Sequence, residues 1–564
     1  MDMKFSPLYQ SEDTQWKNRL NQGQLVWPFF GSHSEARRKL LAQSGKLAAV
    51  VETASCHFFF SYQKTNEALI IDNLLVLRCR SQKQLLRVVE QVARSFFKKN
   101  LILDFSQRQV SFQDDIFKQA GFQETAGGLS KKLIYKNALV FGGGGSHGAY
   151  QVGVWMALTE SDVPIQILTG ASVGALNGAL FAQGDLAAAK TLWHRMSTDH
   201  VLVFPKASEQ SENLPSLLSQ IGSLTTSAIK NRGVSAEPLR NILLDLYDAE
   251  KMRETTVDFQ FVTTAIAGLR ETRISYQPEF QKDWVSWLLA SASFFPAMAL
   301  QEIDGNYYMD GGYRNNIPVD IAYQKGATDC FVVDIKGPGL TKPVRQPEGV
   351  NLFTLHSPWS LGSFLLFSPE RSQSNLTLGY LETRKCLGNL QGFWYSFSPE
   401  EDLEKEWQQF YQEFTAAIPG KKMERKEFLD RFSKIYGQKI VWETVGRSLL
   451  ESAARYTAVA PTEIYDYATM KAAILNNLAG QKVQLYQELS ITEWLTKYYQ
   501  AAAFSDEEQV NRLLSAARQV SDETIIPLMT QAYQRNPLMA FFVCYLIYLK
   551  RGSQQWQKSF PMKS

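Results

Sequence analysis

Two short stretches hold the residue types that acyl chemistry needs. The first is Gly170-Ala171-Ser172-Val173-Gly174, a GxSxG pattern after the apolar run "IQIL" and before a helix-forming run. A serine between strand and helix sits in a sharp, strained turn. Side chains two before and two after it would meet neighbouring backbone, which is the reason for Gly170 and Gly174. The turn lifts the Ser172 hydroxyl to a helix N-terminus, whose dipole favours developing negative charge. The second stretch, "GGGGSHG" (142–148), places four glycines between a strand-like run and a helix. Each glycine costs conformational entropy on folding, so the run needs a reason.

Three readings compete for that reason. A P-loop needs Lys and then Ser or Thr after its last glycine, whereas Gly148 is followed by Ala149 and Tyr150. A dinucleotide site matches Gly143, Gly145 and Gly148 as GxGxxG, but it also needs an acidic residue at the end of the next strand. That strand runs into GxSxG instead. The third reading joins the two stretches. Acyl transfer through serine passes through a tetrahedral oxyanion, and side-chain-free backbone offers N–H donors to it. Gly144 and Gly145 lead as donors within the Gly143–Gly145 run, and the Val173 N–H assists.

A serine nucleophile needs a base. Of six histidines, His147 lies in the glycine loop, His194 and His200 on polar stretches, and His356 in "LFTLHSPWS". The carboxylate candidate is Asp310 in "GNYYMDGGYRNNIPVDIA". It ends a strand-like run and is followed by Gly311 and Gly312, which keep the backbone open around it. In isolation, Asp-Gly-Gly also reads as a β-turn.

The elements that position these residues alternate. "NALVF", "IQILTG", "FQFVTTAIA" and "DCFVVDI" read as strands, with helical runs from Ser146 and Val173. That alternation predicts an α/β fold with a mostly parallel central sheet covered by helices. Residues 1–135 read as an accessory α+β domain, with "ALIIDNLLVLRC" as a strand and "SQKQLLRVVEQVARSFFKK" as an amphipathic helix. Residues 136–340 hold the candidate catalytic residues. Residues 341–564 read as a mostly helical extension, including "EEDLEKEWQQFYQEFTAAI", "QLYQELSITEWLTKYYQAAA" and "EQVNRLLSAARQV", the last preceded by the cap candidates Ser505 and Asp506.

Composition bounds the function. The chain has 564 residues, 45% hydrophobic and 20% charged, the balance of a folded protein of more than one domain. A net charge of +3 argues against a dedicated nucleic-acid binder. Five scattered cysteines without CxxC spacing read as reduced thiols and offer no zinc site. The N-terminus shows no apolar signal core, and no run reaches the ~18–20 residues of a membrane span. "LMAFFVCYLIYL" (538–549) is too short to cross and reads as a buried helix, with a membrane-surface segment as the alternative. A cytoplasmic protein, peripheral to the membrane where it meets lipid, is the expectation.

Three ordered motifs, "GGGGSHG", "GASVG" and "DGG", together resemble the patatin-like phospholipase family. The connecting "LLASASFFPAM", the run "DGGYRNNIPVDIAYQKGATDCFVVDI" and "LGSFLLFSPERSQSNLTLGYLETRK" are similar too, so the likeness spans roughly 136–390. The resemblance implies a patatin-like three-layer core and a Ser–Asp dyad, with Ser172 as nucleophile and Asp310 as base. It also implies hydrolysis of fatty-acyl esters of phospholipids or lysophospholipids, with no metal or cofactor and with peripheral membrane contact. Family members commonly carry Arg where this chain has His147, which would brace the loop or meet lipid phosphate only weakly. "SPWSLGSFLLFSPE" (357–370) reads as an interfacial flap or as a segment packed on the core, and 216–233 as part of a lid. In the N-terminal region, "FKQAGFQETAGGLSKKL" weakly resembles the closing section of GNAT-type acetyltransferases. The chain has "RCRSQKQ" where those carry a glycine-rich loop. Two rivals remain: an α/β-hydrolase using Ser172, Asp310 and His356, and a non-catalytic membrane- or acyl-binding scaffold.

Overall fold

The computed structural model describes residues 3–9, 13–23, 32–43, 47–105, 115–198, 236–277, 283–295, 297–418, 423–480, 507–519 and 522–559. The chain divides into two compact units, Met1–Leu8 with Asp13–Gly388, and Tyr9–Glu12 with Asn389–Ser564. The lid candidate 216–233, the helical run 484–503 and the cap candidates Ser505 and Asp506 lie outside the described residues.

The first unit contains two large sheets. The N-terminal one is built from β1 (Lys4–Pro7), β2 (Ala48–Glu52), β3 (Cys56–Lys64), β4 (Ala68–Cys79), β5 (Asn100–Asp104), β6 (Gln123–Thr125) and β7 (Gly128–Lys132). Its helices are α1 (Asp13–Leu20), α2 (His33–Ala42), α3 (Gln82–Ser95) and α4 (Asp115–Gln119). The strand order is β1-β2-β3-β4-β5-β7-β6. β4 and β5 are parallel, and α3 makes the crossover between them. The Ser81 hydroxyl caps α3 by accepting the Gln84 N–H at 3.2 Å, and Leu85, Leu86, Val88, Val89 and Val92 bury its apolar stripe. One expectation fails here. Cys56 and Cys79 face each other in register across β3 and β4 and form a disulfide, while Cys330, Cys386 and Cys544 take part in none. A sequence separation of 23 conceals a pairing that strand register creates.

The second sheet carries the candidate site. In chain order its elements are β8 (Asn137–Phe141), α5 (Gly148–Glu160), β9 (Ile167–Ala171), α6 (Val173–Ala182), α7 (Leu186–Arg195), α8 (Glu237–Leu246), α9 (Ala249–Glu254), β10 (Asp258–Ala265), β11 (Arg270–Ser275), α10 (Trp284–Ala292), β12 (Gln301–Ile303), β13 (Asn306–Asp310), α11 (Gly312–Asn315), α12 (Val319–Gln324), β14 (Asp329–Val333), β15 (Asn351–Leu355) and α13 (Pro369–Cys386). The order is β12-β13-β10-β9-β8-β14-β15, with β11 also on β10. The run from β10 to β15 is parallel throughout. Alternation along β8 shows why two helical layers form. Leu139 and Phe141 join Tyr150, Val154 and Ala175 on one face, and Ala138 and Val140 join Ala322 on the other. The α/β core predicted from alternation, a mostly parallel sheet covered by helices, is present, and its three layers are those the resemblance implied.

α13 crosses α5 at very short range. A Cβ on Gly153 would lie 1.9 Å from the Leu376 carbonyl oxygen, and one on Gly379 would lie 2.1 Å from that of Tyr150. The second unit is helical over Lys405–Ala417, Arg425–Tyr436, Val445–Tyr456, Tyr467–Gly480, Glu507–Gln519, Asp522–Arg535 and Pro537–Ser559. Residues Leu538–Leu549 are all buried within it, so the apolar run at 538–549 is a core helix. Among the described residues, no helix is long and apolar enough to cross a membrane.

Candidate active site

β10 is the template that brings Ser172 to Asp310. One edge of β10 pairs with β11 from Gln260 to Ala265. The other edge is shared: β9 runs parallel along Asp258–Val262, and β13 runs antiparallel along Thr263–Ala265. β9 ends with Ala171 opposite Val262, and β13 ends with Asp310 opposite Thr263. Two strands distant in sequence therefore meet end to end at neighbouring residues of a third, about 3.3 Å apart along it. The Ser172 hydroxyl lies beside the Asp310 carboxyl in the same cleft and lowers its proton affinity.

Ser172 itself sits at φ 53° and ψ −128°. A non-glycine residue there costs of order 1–3 kcal/mol and persists only where its surroundings fix it. Its carbonyl accepts the Ala175 N–H at 2.8 Å, and its N–H is donated to the Ser291 hydroxyl at 3.1 Å. The flanking glycines are sterically required: a Cβ at Gly170 would lie 2.5 Å from the Gly174 carbonyl oxygen, and one at Gly174 would lie 2.3 Å from that of Phe141. Behind Asp310, a Cβ at Gly311 would lie 2.2 Å from the Val262 carbonyl oxygen.

Asp310 is 3% exposed. Burial raises its pKa from 3.8 to about 6, against the opposing pull of the hydrogen bonds from Ser172 and the Gly312 N–H. The Gly312 N–H bond is 2.7 Å long. A carboxyl that holds a proton this well is a better base than an exposed aspartate, yet is largely ionised at neutral pH.

The glycine loop passes over Ser172. The N–H groups of Gly144, Gly145 and Val173 are donated to no partner among the described residues, and all three residues line the same cleft as Ser172 and Asp310. Gly145 has φ +54°, and a Cβ there would lie 2.1 Å from the Phe364 carbonyl oxygen. Gly143 departs from expectation: its N–H is donated to the Asn316 carbonyl at 3.1 Å, so it is no free donor. Gly148 starts α5 beneath the loop, packed against Trp193 and Val173. His147 also departs from expectation. It is buried, with Nδ1 2.8 Å from the Ile335 carbonyl oxygen and Nε2 3.0 Å from that of Gly362. It braces the loop and lies outside the cleft lining. The segment 357–370 packs on this unit. Its Ser363 and Phe364 carbonyls accept from the Ser146 hydroxyl (2.7 Å) and N–H (2.9 Å), and Phe364, Leu365 and Phe367 line the cleft.

The cleft is lined chiefly by apolar side chains, among them Leu176, Leu180, Leu243, Leu288, Met298 and Phe364. His356 plays no part in it. It is exposed just past β15, and β15 lies three strand positions from β9, about 14 Å away at ~4.8 Å per strand. The carboxyl partners of Asp310 are Ser172 and Gly312, so the Ser172-Asp310-His356 arrangement is not formed.

Residues 139–323 match the family model described as patatin-like phospholipase. This stretch is a patatin-like phospholipase domain. Among its relatives, rat "patatin-like phospholipase domain-containing protein 7" is 30% identical over 201 residues, which cover 35% of this chain and 13% of that one. "Lysophospholipase nte1" of Aspergillus terreus is 29% identical over 217 residues, 37% of this chain and 12% of that one. This chain thus spans little more than a tenth of those relatives. Of solved structures, VipD from Legionella pneumophila aligns at 15% identity with a TM-score of 0.27, over 75% of this chain and 94% of that chain.

Two residues of the patatin-like domain escape motif reading. Ser291 accepts from Ser172 N–H and donates to the Val262 carbonyl at 2.7 Å. The carbonyls of Ser291 and Ser293 accept from the Gly311 and Asp310 N–H groups at 3.1 and 2.9 Å, so "ASAS" holds both halves of the site. Asn316 ties the glycine loop to the Asp310 turn. Its carbonyl accepts the Gly143 N–H, and its amide nitrogen is 3.3 Å from the Gly143 carbonyl oxygen. The small residues of "ASAS" and the paired Asn before Pro318 are the only sequence traces of these roles.

Proposed function

We propose that the patatin-like domain is a serine acyl hydrolase acting on fatty-acyl esters of phospholipids or lysophospholipids. What carries the reading is the Ser172 hydroxyl beside the buried Asp310 carboxyl, both lining one apolar cleft. Ser172 Oγ attacks the ester carbonyl carbon while its proton passes to Asp310. The N–H groups of Gly144, Gly145 and Val173 receive the oxyanion, each such donor being worth on the order of 3 kcal/mol in the transition state. The intermediate collapses, the carbon–oxygen bond to the alcohol breaks, and Asp310 returns the proton to the leaving oxygen. Water then attacks the acyl-enzyme. Its proton passes through Asp310 to Ser172, and the fatty acid departs.

In this reading the lipid reaches the cleft from a bilayer or micelle, and the protein meets that surface peripherally. The family match and the names of the relatives, a phospholipase domain-containing protein and a lysophospholipase, support the lipid class. The test is fatty-acid release from phosphatidylcholine and lysophosphatidylcholine in mixed micelles by the purified chain. Release by the wild type and none by Ser172→Ala is the expected result. Wild-type release by Ser172→Ala removes the nucleophile assignment, and micelle binding without release by either protein favours a non-catalytic scaffold.

A further inference from the structure

A run of glycines is a poor material for an oxyanion site. Residues 142–145 have no side chains to lock them, and glycine backbone is the freest of any. The N–H groups of such a site must nevertheless be held to within about 0.5 Å. Each peptide unit is planar and trans, so holding one carbonyl oxygen aims the next N–H the opposite way. Inside the loop, Asn316 Nδ2 holds the Gly143 carbonyl at 3.3 Å and the His147 N–H holds the Gly144 carbonyl at 3.2 Å. These bonds aim the N–H groups of Gly144 and Gly145.

The carbonyls at the two ends of the loop, Gly142 and Gly148, are held by one pair of buried amides. Gln151 of α5 donates from Nε2 to the Gly142 carbonyl at 2.6 Å. Asn177 of α6 donates from Nδ2 to the Gly148 carbonyl at 2.9 Å and to Gln151 Oε1 at 2.8 Å. Its Oδ1 accepts the indole N–H of Trp193 on α7 at 3.0 Å. Gln151 and Asn177 are 0% and 1% exposed, so no solvent competes for these bonds. An amide can be turned either way, but an indole N–H only donates. Trp193 therefore makes Asn177 present oxygen to α7 and nitrogen to α5, which in turn makes Gln151 present nitrogen to the loop. Asparagine is a weak helix former, and a buried one needs all its partners. Here it stands five positions after Ser172, on the nucleophile's own helix.

We infer that Gln151 and Asn177 are positioning residues: as one directed relay they hold both ends of the glycine loop to the nucleophile helix, and so set the Gly144 and Gly145 N–H groups in register with Ser172. This rests on the reading of Ser172 as nucleophile and of the loop as its oxyanion site, and it adds the groups that hold the two together. Asn177 borders the cleft and Gln151 does not, so Gln151 separates positioning from substrate contact.

The test compares Gln151→Met, Asn177→Leu and the double variant, in which side-chain size is kept and the amides are lost. Hydrolysis of one acyl ester in mixed micelles is measured per Ser172 site titrated to completion with a fluorophosphonate, so unfolded molecules do not count. A trifluoromethyl ketone reads the oxyanion site separately. Its carbonyl carbon bonds to Ser172 Oγ, the serine proton passes to Asp310, and the ketone oxygen becomes the anion that the loop receives. Each single variant lowers kcat about 10–100-fold, leaves KM within about twofold, and weakens the ketone by the same factor as kcat. The double variant falls no further than the worse single one, because the links act in series. A kcat within about threefold of wild type in the single variants overturns the inference alone. So does a fall in kcat with ketone affinity unchanged, a raised KM at unchanged kcat, or losses that multiply in the double variant. If one single variant yields no titratable sites, the other is read by the same criteria. Absence of Ser172 labelling in the wild type overturns the nucleophile assignment and this inference with it.

Discussion

Asp310 is asked to be both buried and ionised, and the two demands are in conflict. Its folded pKa of about 6 lies above the ordinary 3.8, so the native state binds more protons than the unfolded chain between those values. Stability from this group is therefore full below pH 3.8 and is lost as pH rises through about 6. The loss at neutral pH is about 3 kcal/mol at 1.36 kcal/mol per unit. Asp310→Asn is expected to raise the free energy of unfolding at pH 8 by up to that amount, with the gain shrinking toward pH 4. Urea titrations at both pH values check it. Ser291→Ala leaves the Ser172 N–H and the Val262 carbonyl without their partner, at about 1–3 kcal/mol of stability. It should lower kcat about 10–100-fold with little change in KM, because the nucleophile loses its orientation while the cleft stays intact. Steady-state kinetics read the split. Ser172 and Asp310 were legible because each is flanked by glycines that only a crowded turn explains. Ser291 and Asn316 were not, because they act through backbone groups that leave no pattern of residue types.

The elements were legible as a list and opaque as a pairing. Alternating strands and helices announced a parallel sheet, but nothing local announces that β9 and β13 share one edge of β10. Register depends on which apolar faces find each other in three dimensions. The same holds for Cys56 and Cys79, which meet only because β3 and β4 are in register. The α5–α13 crossing likewise depends on two helices far apart in sequence. Its glycines give a direct test: Gly153→Leu drives a side chain into the Leu376 carbonyl and should cost about 3 kcal/mol, read as a lowered thermal midpoint. α13 follows the 357–368 segment that clasps the glycine loop, so activity should fall with stability in this variant.

Across the first unit, the N-terminal sheet is fastened to the catalytic one at the end of the parallel strands away from Ser172. Arg94 on α3 lies 3.1 Å from Asp329 at the start of β14, both nearly fully buried, and also donates to the Gly349 carbonyl. Gln91 donates to the Val350 carbonyl at 2.9 Å, and Phe97 packs 4.9 Å from Phe353. Arg94→Met leaves Asp329 buried without its counter-charge, which typically costs about 3–5 kcal/mol. Its effect should appear in the denaturation of the whole unit, with kcat per labelled site unchanged. The sequence reads residues 1–135 as an accessory domain before the GxSxG and DGG motifs. It did not show the attachment, because one arginine on an amphipathic helix reads as solvated until its partner is known.

The account stands on Ser172 and Asp310 acting together, and the pH dependence of fluorophosphonate labelling tests that most directly. The wild type should label at Ser172 with a rate that falls tenfold per pH unit below about 6 and is level above it, as deprotonated Asp310 is required. Asp310→Asn should label about 10²–10⁴-fold more slowly, with no step near pH 6. Labelling of Asp310→Asn at the wild-type rate, or with the same step, would contradict the account.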